Sequence, residues 1–237
     1  LKTIKSHEQN ENSALKISII GKEAFKNCSS LESFNIGSGC KSIGSAAFMN
    51  CSSLNTFFLD GSEMKKISSR IFKNCTSLTS VKIVNLPFIN NSINQEPFTS
   101  LNYEAFMNCT SLREIDIEDQ AVKMNLIDLK SKALPTYSIS TEQVVGERVF
   151  YNCKSLKRVG LFLGILVKID YNAFANCSSL ELLQINSPLY NLIFGKNFRM
   201  NAFDGVSKDF VINLMNNKVS VGTITLQQLI SSKKLLF

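Results

Sequence analysis

The stretch AFMNCSSL, residues 47–54, occurs in nearly the same form five more times along the chain. The other copies are AFKNCSSL at 24–31, IFKNCTSL at 71–78, AFMNCTSL at 105–112, VFYNCKSL at 149–156 and AFANCSSL at 173–180. The phenylalanines of successive copies are 23, 24, 34, 44 and 24 residues apart. A basal period of about 24 residues with two enlarged members predicts a solenoid of stacked coils.

Fixed offsets from each phenylalanine hold the same residue type in all six copies. Asn stands two residues after it, Cys three and Leu six, and an apolar residue stands five before it. Apolar residues also stand at plus nine and plus eleven, and this period of two predicts a short strand with one buried face. The phenylalanine segment is too short for a full helix and predicts one helical turn with the ring inside. Coils of this kind share a continuous core and a parallel sheet.

The repeated Asn and Cys need a physical reason. A turn between helix and strand leaves backbone groups unpaired, and we expect the Asn amides to pair them. Cys is small and apolar and suits a tight interior site. Six of the seven cysteines occupy this position, Cys40 being the exception, and we expect buried free thiols. Disulfides between neighbouring coils and a metal site are the alternatives, although the chain has no CxxC and a single histidine.

The pattern AFxNCxSLxx(F/I/V)x(I/L) resembles the BspA-type leucine-rich repeat family, over residues 20–185. The resemblance implies a leucine-rich-repeat solenoid with a parallel β-sheet on the concave side. Short helical turns and irregular segments are expected elsewhere, with a short C-terminal helix. Members of this family are typically non-enzymatic and many are surface proteins involved in adhesion. The resemblance therefore implies a cell-surface or secreted location, with a cytoplasmic one as the alternative.

We interpret residues 1–237 as a single leucine-rich-repeat domain. Its expected parts are a partial N-terminal repeat (1–19), six repeats (20–185) with insertions at 84–100 and 119–143, and a degenerate repeat with a C-terminal cap (186–237). The degenerate unit keeps Phe198 and Phe203 but has Gly205 and Val206 where Asn and Cys belong. The chain begins with LKTIKS, which reads as the end of an earlier repeat, so we expect a fragment of a longer protein.

Composition argues against several classes of function. The net charge is +7, but the basic residues are scattered and no aromatic–basic platform accompanies them, so no nucleic-acid partner is expected. The longest apolar run, 159–167, is shorter than the 20 or so residues of a helical membrane span. His7 lies in a polar stretch with no nucleophile or acid in a recognisable arrangement, and no Gly-rich phosphate loop occurs. We therefore expect no enzyme activity, cofactor or metal.

Outward strand positions and the insertions are the candidate binding surfaces. On the strands, the candidates are the exposed Phe58 and Leu182 together with Lys82, Glu114, Asp116, Arg158 and Gln184. In the insertions they are Phe88 and Tyr137, although each insertion could instead fold back and pack on the solenoid. Glu114 and Asp116 share one strand face, which more often means a solvated acidic spot than a calcium site.

These features predict a non-catalytic, monomeric module that binds a protein or peptide through its concave sheet and insertion edge. Adhesion at the cell surface is what the resemblance adds. An intracellular scaffold or a structural repeat spacer within a longer protein is the alternative.

Overall fold

The computed structural model describes residues 3–4, 17–87, 100–119, 143–162, 166–186, 200–216, 219–225 and 227–228. Within them the chain forms fifteen short strands and one 3-10 helix. The strands are β1 Thr3–Ile4, β2 Ile19–Ile20, β3 Ser33–Ile36, β4 Ser42–Ile43, β5 Thr56–Asp60, β6 Lys66–Ile67, β7 Ser80–Leu86, β8 Ser100–Leu101, β9 Glu114–Asp119, β10 Gln143–Val145, β11 Arg158–Phe162, β12 Leu166–Ile169, β13 Leu182–Asn186, β14 Val211–Asn216 and β15 Val219–Thr225. The 3-10 helix is Met200–Phe203.

One strand from each coil enters a nine-stranded sheet, here termed the long sheet. Its order is β1-β3-β5-β7-β9-β11-β13-β14-β15, and every pair is parallel except β14 with β15. The plus-nine and plus-eleven residues face the core and are at most 3% exposed from Phe34 to Ile185. The predicted solenoid with its parallel sheet is therefore confirmed.

A second row of strands arises from the apolar residue five before each phenylalanine. β6, β8, β10 and β12 form one parallel sheet, and β2 pairs with β4 in another. Ile20, Ile43, Ile67, Leu101, Val145 and Ile169 all point inward and are at most 4% exposed. The core is therefore closed by strands on two sides.

The repeated phrase forms a turn that stacks on its neighbours, and the seven stacked turns from Phe25 to Phe203 are termed the turn ladder. Within a turn, bonds such as Cys28 N–H to the Phe25 carbonyl (3.1 Å) run from residue i to i−3. Between turns, the phenylalanine N–H donates to the next coil, as Phe25 does to the Ala47 carbonyl at 2.8 Å. Two residues later, the Asn N–H also donates to a carbonyl of the next coil, as Asn27 does to that of Met49 at 2.8 Å. Backbone hydrogen bonds thus pair each turn with the next.

The ladder asparagines solve a conformational problem. All six lie in the left-handed region, with φ between 61° and 64°, where Asn is among the few residues tolerated. Their side chains bond to one another: the amide of Asn50 donates to Asn27 at 2.8 Å and that of Asn74 to Asn50 at 2.9 Å. Asn108 and Asn152 continue the row at 2.8 and 2.9 Å. The expectation that these amides pair backbone groups is therefore wrong, because the backbone groups pair across coils.

Inside the turns, rings and thiols form two further rows. Successive phenylalanine rings from Phe25 to Phe203 stack with centroids 5.0–5.6 Å apart and interplanar angles of 2–21°. Each interior thiol donates to the carbonyl of the preceding coil's phenylalanine, as Cys109 does to Phe72 at 3.1 Å. All seven cysteines are free, and all but the half-buried Cys28 are buried. The expectation of free thiols is confirmed.

The seventh turn has the same backbone register with different side chains. Phe174 N–H donates to the Ala202 carbonyl and Asn176 N–H to the Asp204 carbonyl, both at 2.7 Å. Gly205 occupies the Asn position with a φ of 76°. β15 then closes the long sheet by antiparallel pairing. Of the expected C-terminal helix, only residues 227–228 fall among those described, so it stays a prediction.

Candidate functional site

The outward positions of the long sheet bring seven of the nine candidate binding residues onto one face. These seven, termed the sheet face, are Phe58, Lys82, Glu114, Asp116, Arg158, Leu182 and Gln184. Their neighbours in sequence on each strand point inward and are buried, so strand alternation directs the seven outward.

Parallel register makes the sheet face contiguous. Phe58 lies opposite Lys82, and Lys82 lies opposite Asp116. Arg158 lies between Glu114 on one side and Leu182 on the other. Neighbouring strands are about 4.8 Å apart, so the four steps from β5 to β13 span roughly 19 Å. That length suits a short peptide segment or one edge of a protein.

An ion cluster occupies the centre of the sheet face. The Arg158 guanidinium is 2.9 Å from the Glu114 carboxylate and 3.8 Å from that of Asp116. The hydrogen bond with Glu114 raises the pKa of Arg158. Because Arg158 and Glu114 are 43% and 52% exposed, water screens this pair and it adds little to folding. Its charges are accessible to a ligand.

The two apolar candidates are less exposed than the sequence analysis expects. Phe58 and Leu182 are both half-buried, because residues in the same row on adjacent strands cover their flanks. Asn35 and Lys82 flank Phe58. Among the described residues, the large apolar side chains with high exposure are Ile19 at 66% and Tyr171 at 43%, both outside the sheet face.

The insertions leave the solenoid at neighbouring points. β7 runs through the first residues of one insertion to Leu86, and β9 reaches Asp119 at the start of the other. Leu86 and Asp119 lie opposite each other in the sheet, so both insertions start from the same edge. The candidates Phe88 and Tyr137 lie outside the described residues.

A second polar cluster, which the sequence analysis missed, lies on the turn ladder. Glu104 is 4% exposed and accepts hydrogen bonds from Arg70 at 2.9 Å and Lys73 at 2.7 Å. Arg70 also lies over the Tyr103 ring, 5.1 Å from its centroid, and Arg148 donates to the Tyr103 hydroxyl at 3.3 Å. Burial alone would raise the pKa of the Glu104 carboxyl, but three side-chain hydrogen bonds outweigh it and lower the pKa.

The sequence carried a signal for this cluster. Arg70, Glu104 and Arg148 each stand two residues before a ladder phenylalanine, so the repeat register alone places opposite charges on adjacent coils. The cluster's groups satisfy one another, and its buried carboxylate has two cationic partners. The cluster is best explained as a structural link between three adjacent coils, held by these hydrogen bonds and ion pairs.

Three of the ladder thiols, Cys109, Cys153 and Cys177, have little capacity for nucleophilic chemistry. Burial raises the pKa of Cys109 and Cys153 far above the usual range and that of Cys177 to about 12. A thiolate is the reactive form of cysteine, and it is suppressed at these sites.

Two further classes of site find no residues in the described part of the chain. No group of three or more His, Cys, Asp or Glu side chains there could hold a metal ion. Among the same residues, no helix has the length and apolar character needed to cross a membrane.

Comparisons with known proteins identify a matching family and several similar solved structures. A family model described as a BspA type leucine rich repeat region matches residues 6–96 and 88–208, in six copies. The crystal structure of the T. pallidum leucine rich repeat protein is 20% identical with a TM-score of 0.49, over 77% of this chain and 70% of that one. A leucine-rich repeat protein from Eubacterium ventriosum is 16% identical with a TM-score of 0.47, over 83% of this chain and 49% of that one. No curated protein matches the chain.

Proposed function

We propose that this chain, which belongs to the BspA type leucine-rich repeat family, is a non-catalytic module that binds a protein or peptide through its sheet face. The observation that carries the proposal is the register that aligns Phe58, Lys82, Glu114, Asp116, Arg158, Leu182 and Gln184 across five adjacent strands. A row of mixed side chains on a rigid sheet offers a partner many fixed contacts.

The charges of the sheet face favour short-range matching over long-range attraction. Lys82 and Arg158 balance Glu114 and Asp116, so the net charge of +7 does not concentrate here. A partner would meet cations and anions side by side, with half-buried apolar groups at Phe58 and Leu182. We expect a ligand segment of mixed charge with an apolar residue near each end, bound with modest salt dependence.

The insertion edge supplies the second part of the proposed surface. Both insertions start beside β7 and β9, the strands that carry Lys82, Glu114 and Asp116. Phe88 and Tyr137 would extend the contact from that edge. The insertions would then add partner-specific contacts to a shared sheet, as loops on repeat proteins commonly do.

Adhesion at the cell surface, by a monomer, is the finer form of this proposal. It is supported by family membership. An intracellular scaffold or repeat spacer is the second candidate, favoured by seven free cysteines, which fit a reducing compartment. Surface biotinylation of intact cells of the source organism separates the two: labelling of the chain supports the first, and protection until lysis supports the second.

A peptide-display selection on the whole chain tests the sheet face. Selected peptides should lose affinity about tenfold or more for Lys82→Glu and Phe58→Asp, since the first reverses a charge of the proposed contact and the second replaces its apolar group. Lys66→Glu is the matched control, because Lys66 is also exposed on a strand but lies on the other side of the solenoid. Deletion of 119–143 tests the insertion edge. Binding that survives Phe58→Asp, Lys82→Glu and the deletion would show that both proposed surfaces are wrong.

A further inference from the structure

A cleft of about 370 Å³ opens on the solvent side of the turn ladder, toward its seventh turn. Four consecutive coils line it with Met107, Arg148, Tyr151, Asn172, Ala175, Asn176 and Asp204. None of these residues belongs to the sheet face, so the cleft is separate from the surface proposed above. Its volume lies at the lower end of the range for small-molecule sites.

The sequence explains why the cleft lies at this point of the ladder. The residues that directly follow the seven ladder phenylalanines are Lys26, Met49, Lys73, Met107, Tyr151, Ala175 and Asp204. Ala175 has the shortest side chain of this column, and its neighbours on the adjacent coils are Tyr151 and Asp204. A methyl group between two longer side chains leaves a depression, and Ala175, which is 3% exposed, forms its floor.

The row of ladder amides breaks at the cleft. Hydrogen bonds join the Asn side chains from Asn27 to Asn152, but within the described residues no such bond joins Asn152 to Asn176. The backbone of Asn176 keeps the ladder register, with a φ of 61° and its N–H donating to the Asp204 carbonyl at 2.7 Å. Only its exposed side chain departs from the pattern. The amides of Asn176 and Asn172 therefore line the cleft with donors and acceptors that no other described residue uses.

Three further polar side chains of the cleft have unused hydrogen-bonding capacity. Nη1 of Arg148 donates to the Tyr103 hydroxyl at 3.3 Å and lies 3.5 Å from the Glu147 carboxylate. The other guanidinium N–H groups have no partner in the described part of the chain. The same holds there for the Tyr151 hydroxyl and the Asp204 carboxylate. The cleft thus combines donors, acceptors and groups that are both.

The lining fits a neutral ligand better than an ion. Arg148 and Asp204 give the cleft no net charge, and they lie two coils apart, a distance of about 10 Å along the stack. A small anion or cation would meet one attractive and one repulsive group. A sugar ring has an apolar C–H face, which matches Tyr151, Met107 and Ala175, and a rim of hydroxyl groups that both donate and accept.

We propose that this cleft binds a neutral sugar unit, a pyranose ring of a glycan. The C–H face of the ring packs against Tyr151 over the floor formed by Ala175. Asp204 accepts hydrogen bonds from ring hydroxyls and Arg148 donates to them, while the Asn176 amide does both. The competing ligand is a short zwitterionic peptide whose two end charges match Arg148 and Asp204.

Saturation-transfer NMR on the whole chain tests the site with six sugars: the methyl glycosides of glucose, galactose and mannose, and maltose, cellobiose and lactose. We expect at least one to bind with a dissociation constant of about 1 mM or tighter. Ala175→Met should abolish binding, because it fills the floor with the side chain that this column carries at Met49 and Met107. Asn176→Gly should weaken binding about tenfold, since it removes the amide and keeps the left-handed conformation, as Gly205 does.

Two control variants and a control ligand define the outcomes. Met49→Ala makes a similar depression between Lys26 and Lys73 without the other lining groups, and Phe58→Asp alters only the sheet face; both should bind sugar like the parent. Absence of binding by all six sugars would overturn the proposal, as would binding that survives both Ala175→Met and Asn176→Gly. Loss of sugar binding in Phe58→Asp alone would move the site to the sheet face. Triglycine has end charges about 10 Å apart when extended. Binding of triglycine in place of the sugars would reassign the cleft to a zwitterionic peptide.

Discussion

The first and the seventh turns share one backbone register and end the ladder in opposite ways. Around Phe25, carbonyls, an amide and a thiol are left without partners among the described residues, and the ring is half-buried. Around Phe203, Gly205 removes the amide, Val206 removes the thiol, and Phe210 packs on the ring. The ring of Phe203 is 3% exposed.

This difference shows that the departures in the seventh repeat have a physical function. An Asn at a terminal turn would leave an oxygen without its donor, because the oxygens of Asn27, Asn50, Asn74 and Asn108 each accept from the Asn amide of the following turn. Gly keeps the left-handed conformation without the amide, and Val keeps an apolar contact. The degenerate sequence of the seventh turn therefore matches a closed end, where Phe210 packs on the ring of Phe203.

The largest expected effect comes from removing one ring from the stack. Phe106→Ala should lower the free energy of unfolding by about 3–5 kcal/mol, because Phe106 is fully buried between Phe72 and Phe150. Phe25→Ala should cost roughly half of that, since its ring is half-buried and stacks on one ladder neighbour. Urea denaturation of both variants measures the difference. Equal losses would mean that the first turn is as well packed as the interior of the ladder.

The period and the offsets of the repeated phrase were enough to predict the solenoid, since Phe, Cys and Leu at fixed positions have one common explanation, a shared core. The role of Asn was not predictable in the same way. The left-handed φ and the row of amide hydrogen bonds are visible only in the three-dimensional structure. From the sequence alone, an Asn in a turn is compatible with many hydrogen-bonding schemes. Likewise, the pattern placed Phe58 and Leu182 on the outward face, but their burial depends on neighbours from coils far away in sequence.

An effect of intermediate size on folding stability is expected at alkaline pH. It comes from the buried thiols inside the ladder. Burial raises the pKa of Cys177 from 9.0 to about 12, so the unfolded thiol ionises first as pH rises. Its contribution to stability is complete below about pH 9 and is lost between pH 9 and 12, with a slope of about 1.4 kcal/mol per pH unit. Cys177→Ser should remove that share of the slope, as measured by urea denaturation from pH 8 to 11. Identical pH dependence in parent and variant would show that the Cys177 thiol ionises as readily folded as unfolded.

The smallest effect tests the closed end itself. Gly205 has a φ of 76°, and an added Cβ would lie 3.0 Å from the Asn176 side-chain oxygen, so Ala and Asn meet the same crowding there. Asn tolerates the left-handed region and could donate to that oxygen, as the amides of Asn50, Asn74, Asn108 and Asn152 do to the preceding turn, whereas Ala can do neither. Gly205→Asn should therefore be more stable than Gly205→Ala by about 1 kcal/mol in thermal and urea unfolding. A more stable Ala variant would show that crowding against the Asn176 side chain outweighs any hydrogen bond that an amide at this position makes to it.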